Sequence, residues 1–429
     1  MTALRTGADQ VTLTRRRWAL VVAAVLVQLA LGALYAWSVF NKPLQDQFHW
    51  SKAQVVLPFE VAVGTIFIGS MIGGRIQDRY GPRPVALGGG VLYAVGTMLA
   101  SLVTSPGQLW LLVLGYGVLG GIGMGAAYIT PIAMLTKWFP DKRGLITGIA
   151  VAGFGFGAVI TAPVAKHLLA TAPRKTEVFL PLGAAYLVAV LLGASLFRDP
   201  PPGYRVPGFV APTTGRAAAG NRSYTLNEAL RTPQWYLLTA ILTLNVACGI
   251  GLISQAADAA HVIAGASAAT AATIVGVLGL FNAGGRVVWA WLSDRIGRMT
   301  AFVGMLTLQG VCFLVLPHAH ALALFALFAA LIVLAYGGGF GTMPATAADY
   351  FGTTHAGAIY GAIIVAWSIG GVVGPTVTAL LYERGGHSYT LPFTVLALVA
   401  LMAVALPVVT RMPTEPAPYR GGVTPVARH

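Results

Sequence analysis

The chain has 429 residues, of which 56% are hydrophobic and only 9% carry a formal charge. About a quarter of the residues in ordinary soluble domains are charged, so this composition excludes a typical soluble protein. The net charge of +14 would suit nucleic acid binding, but the basic residues are dispersed over many loops instead of lying together on one element. A nucleic acid partner is therefore not expected.

Almost uncharged windows of roughly 20 residues recur along the chain, and that is the length a helix needs to cross a ~30 Å hydrocarbon layer. Twelve such spans are predicted, at 18–40, 53–74, 84–104, 109–136, 144–170, 177–197, 235–257, 269–292, 300–317, 321–346, 356–382 and 389–411. The sequence therefore predicts an all-α membrane protein with twelve transmembrane helices.

The loops on the two sides of these spans differ in charge. If the N-terminus is cytoplasmic, 20 of the 27 Lys and Arg residues lie in cytoplasmic segments and 6 lie outside, while Arg286 lies within a span. Cytoplasmic loops carry the excess of basic residues in membrane proteins. We therefore predict a multi-pass protein of the bacterial inner membrane with both termini in the cytoplasm.

The longest polar stretch between spans, 198–234, is rich in Pro, Gly and Arg and lacks apolar periodicity, which is typical of a linker. It would join an N-terminal six-helix bundle at 1–197 to a C-terminal six-helix bundle with a cytoplasmic tail at 235–429. The two halves repeat each other, since GGRIQDRYGPR after span 2 is echoed by WAWLSDRIGR after span 8, and GMGAAYITP by GFGTMP. Repeated halves are typical of alternating-access transporters, which hold the substrate between them.

An Asp-Arg pair follows each of the two corresponding spans: Asp78 with Arg79, and Asp294 with Arg295. A carboxylate at this position can bond to the neighbouring basic residues and to the exposed N-terminus of an adjacent helix. We interpret the pairs as a conformational latch that holds helices together in one state and releases them in another. Charges that only set the topology are the alternative, which explains the arginines better than the acids.

Arg286 lies eight residues before Asp294, which places it ~12 Å from the interface and close to the middle of the bilayer. Inserting an arginine at that depth costs about 3 kcal/mol or more, so it is expected to face a cavity and to have a partner. Asn282, one turn earlier on the same face, is neutral. Because a guanidinium fits a carboxylate with two parallel hydrogen bonds, Arg286 and Asn282 are predicted to bind an anionic substrate. A structural arginine bonded to backbone carbonyls is the alternative.

Aromatic residues within the spans are further candidates for substrate binding. A tyrosine ring can pack against a methyl group while its hydroxyl bonds a carboxylate, which suits Tyr128, Tyr336 and Tyr35. Tyrosines also lie in packed cores and at membrane interfaces, and that alternative is open for all three. Trp367 in span 11 and Phe154, its counterpart in the repeat, complete the predicted site.

The doubled D-R-x-G turn, the twelve spans and the central linker resemble the major facilitator superfamily. Within it, YAWSVFNKPL, GMGAAYITPIAMLTKWFPDKRG and NAGGRVVWAWLSDRIGR are similar to the oxalate/formate antiporter branch and its bacterial monocarboxylate transporter relatives. The resemblance implies the major facilitator fold, a substrate-binding role for Arg286 and a cavity lined by Tyr128. Relatives that bind dicarboxylates carry a lysine in span 11, where this chain has Trp367. This departure favours a monocarboxylate such as lactate, pyruvate, acetate or formate over oxalate.

Import of an anion into a cell with a negative interior needs a coupling ion or an exchange partner, and a proton is the simplest coupling ion. Glu60 lies about seven residues inside the outer end of span 2, where burial would favour its protonated form. Asp258, with His261 nearby, could also relay protons, although two solvated loop residues are the simpler interpretation. The animal relatives carry an acid at the position of Asn282, so their coupling scheme does not transfer directly.

The sequence thus predicts a monomeric secondary active transporter of small monocarboxylates that works by proton symport and needs no cofactor or metal. The sequence contains no nucleotide-binding glycine loop and no metal-ligand spacing, so an enzyme is not expected. Two alternatives are open: an organic anion antiporter of the oxalate/formate type, and a transporter-like sensor that binds a carboxylate without moving it.

Overall fold

The computed structural model describes residues 7–209 and 223–413. Twelve helices in these ranges are long and apolar enough to cross a membrane. We name them α1 to α12 in chain order: Arg15–Ala36, Ala53–Tyr80, Pro82–Leu102, Pro106–Trp138, Arg143–Thr171, Lys175–Ser195, Pro233–Ala264, Ala269–Ile296, Arg298–His318, Leu322–Phe351, Ala356–Arg384 and Thr390–Val409. The predicted all-α architecture with twelve membrane helices is confirmed.

Corresponding helices of the two halves pack in the same way. In the N-terminal half, α2 packs on α4, α1 on α5 and α3 on α6; in the C-terminal half, α8 packs on α10, α7 on α11 and α9 on α12. Glycines permit the closest of these approaches, because a side chain at Gly69 would collide with the backbone of Ile122 and one at Gly285 with the backbone of Leu334. The repeat seen in the sequence is therefore also a repeat in helix packing.

The two halves meet along two seams. At the first seam α5 packs against α8, with Gly144 beside Ala290 and, three turns further along, Gly155 beside Ala283. The absence of side chains at the two glycines lets the helices touch. This seam begins at the face of the protein that carries the two Asp-Arg turns, which we call the Asp-Arg face.

At the second seam α2 packs against α11. Gly74 lies against Gly357 near the Asp-Arg face, and further along the Ser368 hydroxyl donates to the Val63 carbonyl at 3.0 Å. The second seam therefore also runs from the Asp-Arg face to about the middle of the helices.

Beyond these contacts the helices of the first seam part. Gly276 and Gly279 continue the surface of α8 that carries Ala283, yet a Cβ atom added to either glycine would meet nothing within 4 Å. Val159, which continues the facing surface of α5, is 50% exposed. The protein is therefore closed at the Asp-Arg face and open toward the opposite face.

Among the described residues, α1 and α11 both depart from a regular α-helix near the middle of the protein. The regular α-helix of α1 stops at Leu31, and a 3₁₀ segment at Gly32–Ala36 precedes a further helix at Ser38–Phe48. Likewise α11 consists of two pieces, Ala356–Ile363 and Val365–Arg384. Irregular backbone is tolerated at membrane depth only where protein or a cavity surrounds it, so these interruptions mark the interior of the protein.

The described parts of the predicted linker are attached to both halves. The ring of Tyr204 packs on Trp138 at the end of α4, with 4.9 Å between centroids. The Tyr224 backbone N–H donates to the carbonyl of Phe351, the last residue of α10, at 2.8 Å. Trp138 and Phe351 occupy corresponding places in the two halves, so each end of the linker is fixed to the half beside it. Residues 210–222 lie outside the described ranges.

The opening of the first seam can be tested with two cysteines on one surface of α8, Gly276→Cys and Ala283→Cys, in a background without Cys248 and Cys312. We expect a membrane-impermeant maleimide added on the side opposite the Asp-Arg face to label Gly276→Cys. Ala283→Cys, two turns deeper, should be protected because Ala283 is fully buried against α5. Equal labelling of the two cysteines would contradict the open seam.

Candidate functional site

Arg286 lies on α8 at the inner end of the open region, and its side chain is only 1% exposed. Its Nη1 donates to the Val151 carbonyl of α5 at 2.9 Å, and its Nε lies 3.4 Å from the Asn282 Oδ1 atom. The contact with Val151 is of the kind that a structural arginine makes. Within the described residues, however, the guanidinium has no carboxylate partner, so neither bond neutralises its charge.

Aromatic rings from both halves surround the guanidinium. Its central carbon lies 5.2 Å from the ring centroid of Phe340 and 5.9 Å from that of Phe154, distances at which a cation is attracted to a ring face. Trp367 projects from α11 into the same region. Its ring centroid lies between 5.3 and 6.2 Å from four others, those of Tyr35, Tyr128, Phe154 and Phe340. Arg286 is therefore held in an aromatic enclosure to which both halves contribute.

Four tyrosine hydroxyls belong to this enclosure, those of Tyr35, Tyr128, Tyr336 and Tyr360. All four are buried, and they interact with one another and with Arg286: Tyr35 with Tyr336 and Arg286, and Tyr128 with Tyr360. Among the described residues none of these contacts has regular hydrogen-bond geometry. A buried hydroxyl whose hydrogen bond is poorly formed costs up to about 1–3 kcal/mol. Four of them around one uncompensated cation indicate a site that an anionic ligand would complete.

The structure brings together all seven residues that the sequence suggested for substrate binding: Arg286, Asn282, Tyr128, Tyr336, Tyr35, Trp367 and Phe154. It adds Phe340 and Tyr360, which the sequence analysis missed. Helical spacing could have found both, because Phe340 is four residues after Tyr336 and Tyr360 is seven residues before Trp367, on the same faces of their helices.

The expected burial of Glu60 is wrong, because its side chain is exposed. Glu60 lies 14 residues from Gly74, about four helical turns, so it occupies the surface of α2 that faces α11. At the level of Glu60, α2 and α11 have separated. The hydrogen bond between them from Ser368 to Val63 lies one turn closer to the Asp-Arg face. The exposure of Glu60 thus follows from the open state of the protein.

Asp258 lies within α7, because the helix continues beyond the predicted end of the span to Ala264. Its Oδ2 accepts a hydrogen bond from the hydroxyl of Tyr389, which precedes α12, at 2.6 Å. Burial, together with the hydrogen bond to the Asp258 carboxylate, raises the pKa of Tyr389, so the phenol stays protonated and remains the donor. His261 does not join this pair, since its Nδ1 lies 2.9 Å from the Ala266 carbonyl. Among the described residues, neither Glu60 nor Asp258 bonds to the groups around Arg286.

The two aspartates of the Asp-Arg turns bond across the seams. Asp294 accepts from the backbone N–H groups of Gly144 and Leu145, both at 2.9 Å, in the first turn of α5. Asp78 accepts from those of Gly357 at 3.2 Å and Ala358 at 2.8 Å, in the first turn of α11. Each carboxylate therefore stabilises the N-terminus of a helix in the other half, where the helix dipole is positive.

The neighbouring arginines do not bond to these aspartates. Arg79 lies over the ring of Tyr80 and Arg295 over the ring of Trp291, at 5.2 and 3.8 Å from the centroids. The expectation that each aspartate pairs with the arginine beside it is therefore wrong, because consecutive residues point in different directions on a helix. Asp294 pairs with Arg298 one turn later, at 2.7 Å.

Asp349, near the end of α10, connects this cluster across the first seam. It accepts from Arg143 of α5 and from Arg298 of α9, both at 2.8 Å. The sequence analysis did not identify Asp349, because its partners are distant in the chain. In the described residues, the first seam is thus held by an ion pair as well as by helix capping, whereas at Asp78 the second seam is held through backbone N–H groups.

The family model described as Major Facilitator Superfamily matches residues 20–375 and 265–427. The chain belongs to the major facilitator superfamily. The uncharacterized MFS-type transporter YhjX of Escherichia coli is 29% identical over 83% of this chain and 86% of its own length. The oxalate:formate antiporter of Oxalobacter formigenes is 28% identical over 95% of both chains, and monocarboxylate transporter 13 of Rattus norvegicus is 27% identical over 88% of this chain and 85% of its own.

Solved structures of the superfamily share the fold. FucP in the outward conformation superimposes with a TM-score of 0.70 at 16% identity, covering 92% of this chain and 99% of FucP. The proton:xylose symporter XylE also gives a TM-score of 0.70, at 15% identity over 90% of this chain and 94% of its own. The protein is therefore a multi-pass membrane protein whose family and fold are those of transporters, not of enzymes. The resemblance stated from the sequence motifs is confirmed.

The role of Asp349 can be tested with Thr147→Cys, a fully buried position on α5 beside α10. We expect a thiol reagent added on the Asp-Arg face to label this cysteine roughly tenfold faster when Asp349→Asn is also present. That factor corresponds to about 1.4 kcal/mol, a value between those of exposed and buried ion pairs.

Asp199→Asn is the matched control, because its carboxylate pairs with Lys137 at 2.9 Å without crossing a seam. It should leave the labelling of Thr147→Cys unchanged. A similar acceleration by both variants would show that the ion pair to Arg143 does not hold the seam.

Proposed function

We propose that the protein transports small monocarboxylates across the bacterial inner membrane by alternating access, with a proton as the coupling ion. The observation that carries this proposal is the buried charge of Arg286, which has no acid partner among the described residues and is enclosed with four tyrosine hydroxyls whose hydrogen bonds are poorly formed. A carboxylate would neutralise the guanidinium and accept hydrogen bonds from the tyrosines in one step.

The charge balance of the enclosure favours one carboxylate over two. Arg286 is its only cation among the described residues, and the corresponding region of α11 contributes the neutral ring of Trp367. A second carboxylate would be buried without a counter-charge, which costs several kcal/mol. Lactate, pyruvate, acetate and formate are therefore the proposed substrates, in preference to oxalate.

The open and closed ends of the seams suggest how the substrate moves. The bias of basic residues favours a cytoplasmic Asp-Arg face together with cytoplasmic termini, so the open ends of the seams would face the outside in this state, with Arg286 buried at their inner end. We take the two six-helix halves, 1–197 and 235–429, as the moving bodies of one monomer, with 198–234 as their linker. Release of Asp78 and Asp294 from the helix ends across the seams would open the cytoplasmic side. This is the latch role proposed for the Asp-Arg turns, carried by the two aspartates and not by Arg79 and Arg295.

Glu60 is the proposed proton carrier. It faces the open part of the second seam, so closure of the outer side would enclose it against α11. Because a charged carboxylate is costly to bury, closure would favour the protonated form and couple proton uptake to the movement. Asp258 is the less favoured candidate, since its carboxylate already accepts a hydrogen bond from Tyr389.

Anion exchange is the second candidate function. The similarity to the oxalate:formate antiporter extends over 95% of both chains, so the same scaffold can support exchange without a proton. An exchanger would be stimulated by substrate on the far side of the membrane and would respond little to a pH gradient. A sensor would bind carboxylates without accumulating them.

Uptake into proteoliposomes tests the role of Arg286. We expect Arg286→Ala to lower the uptake of labelled lactate and pyruvate by about 100-fold or more, since it removes a two-bond contact to a charged group. Arg286→Lys should recover little, because an ammonium group lacks the planar fork. Arg384→Ala, an exposed arginine at the end of α11, is the control and should behave like the parent protein. Parent-like uptake by either Arg286 variant would refute the proposed site.

Proton coupling is tested with Glu60→Gln, which keeps the shape of the side chain but cannot take up a proton. We expect this variant to lose the stimulation of uptake by an inward proton gradient while it still exchanges labelled for unlabelled substrate. Glu383→Gln, an exposed acid on α11, should keep the stimulation of the parent protein. Gradient-driven accumulation by Glu60→Gln would rule out Glu60 as the carrier.

A further inference from the structure

We infer that Tyr360 binds the transported anion and that the short helix carrying it, Ala356–Ile363, transmits this binding to Asp78. This inference rests on the proposed carboxylate transport and extends it, because it assigns the coupling between the central site and the closed seam to one element. Within one turn, this helix carries Tyr360, which belongs to the central site, and the N–H groups of Gly357 and Ala358, which bond to Asp78 at the second seam.

The side chain of Tyr360 is suited to a ligand contact. It is 2% exposed, and its hydroxyl is buried without a hydrogen-bond partner of regular geometry among the described residues. The hydroxyl is close to that of Tyr128, which belongs to the other half, and to the charge of Arg286. An acceptor placed among these three groups would therefore be held by both halves at once.

The part of α11 that carries Tyr360 runs from Ala356 to Ile363, eight residues with a length of about 12 Å. It ends at a local irregularity at Ile364, where the backbone stays helical and the Ile364 N–H donates to the Tyr360 carbonyl at 3.1 Å. Its first turn donates the N–H groups of Gly357 and Ala358 to Asp78. Gly361, next to Tyr360, lies directly against the backbone of Ser70 on α2. Any tilt of this helix therefore alters the contact with Asp78 and the packing of the second seam together.

The corresponding helix of the other half provides an internal comparison. Gly144 and Gly148 correspond to Gly357 and Gly361, so Thr147 corresponds to Tyr360. The Thr147 hydroxyl already donates to backbone carbonyls, including that of Gly341 across the first seam at 3.0 Å. Moreover, α5 is continuous from Arg143 to Thr171 and has no break after its first turns. A hydroxyl that lacks a well-formed hydrogen bond and an irregular helix thus occur together at the second seam and not at the first.

The mechanism follows from these contacts. A carboxylate bound to Arg286 accepts a hydrogen bond from the Tyr360 hydroxyl and draws that side chain toward the centre. The eight-residue helix tilts with it, so the N–H groups of Gly357 and Ala358 move away from the carboxylate of Asp78. Occupation of the central site thereby weakens the closed end of the second seam and prepares it to open.

The test uses Ala358→Cys as a reporter of the closed seam, in a protein without Cys248 and Cys312. Ala358 is 4% exposed in the closed state, so labelling from the Asp-Arg face reports opening. We expect saturating lactate or pyruvate to accelerate the labelling several-fold. With Tyr360→Phe added, the ratio of the labelling rates with and without substrate should fall close to one. The same variant should bind substrate about tenfold more weakly, as the loss of a hydrogen bond to a charged acceptor predicts.

Tyr93→Phe is the matched control, because Tyr93 is equally buried and its hydroxyl donates within the N-terminal half to the Ala30 carbonyl at 3.3 Å. It should keep the ratio and the affinity of the parent protein. Tyr360→His, which retains a ring N–H donor, should recover part of the ratio and serves as the second variant if Tyr360→Phe folds poorly.

The outcomes distinguish a failure of the Tyr360 inference from a failure of the proposed carboxylate transport. A Tyr360→Phe protein that keeps the parent's acceleration by substrate overturns the inference, while the proposed transport stands. A parent protein that takes up no carboxylate and shows no acceleration overturns the proposed cargo and this inference with it.

Discussion

The guanidinium of Arg286 lies in the middle of the protein, where neither bulk water nor a carboxylate offsets its charge. Such a charge is tolerated only because the surroundings supply partial compensation, here one carbonyl, one amide oxygen and the faces of aromatic rings. The same compensation is too weak to satisfy the cation fully. The proposed carboxylate would supply the missing negative charge, and the tyrosines around the guanidinium would determine how the carboxylate is held.

The movement that the fold requires limits how strongly the seams can be held. The Arg143 and Asp349 side chains retain about a quarter of their exposure, so their pair is weaker than a fully buried one. Capping of a helix by a carboxylate contributes a comparably small amount. Glycine contacts bring the helices together without interlocking side chains. The closed seams are therefore stabilised by several weak interactions. A ligand can overcome them if it binds more tightly to the state in which the seams are open.

The sequence predicted the fold and the centre of the site because both leave local patterns. Hydropathy marks the spans, and Arg286 is conspicuous because it interrupts one. Asp349 escaped prediction because its partners, Arg143 and Arg298, come from other helices and are distant in the chain. Phe340 was missed although it lies one turn after Tyr336 on the same face of its helix. The burial of Glu60 was predicted wrongly for a different reason: depth along a helix does not reveal which seam is open. The exposure of a side chain belongs to the conformation that the structure shows, and hydropathy along the chain does not specify that conformation.

The attachment of the linker ends has a consequence for the covalent connection between the halves. Tyr204 and Tyr224 are each fixed to their own half at corresponding aromatic residues, so each described end of the linker belongs to the half beside it. Since each described end of the linker follows its own half, the covalent connection keeps the two halves at high local concentration, and the contacts along the two seams contribute to their relative orientation.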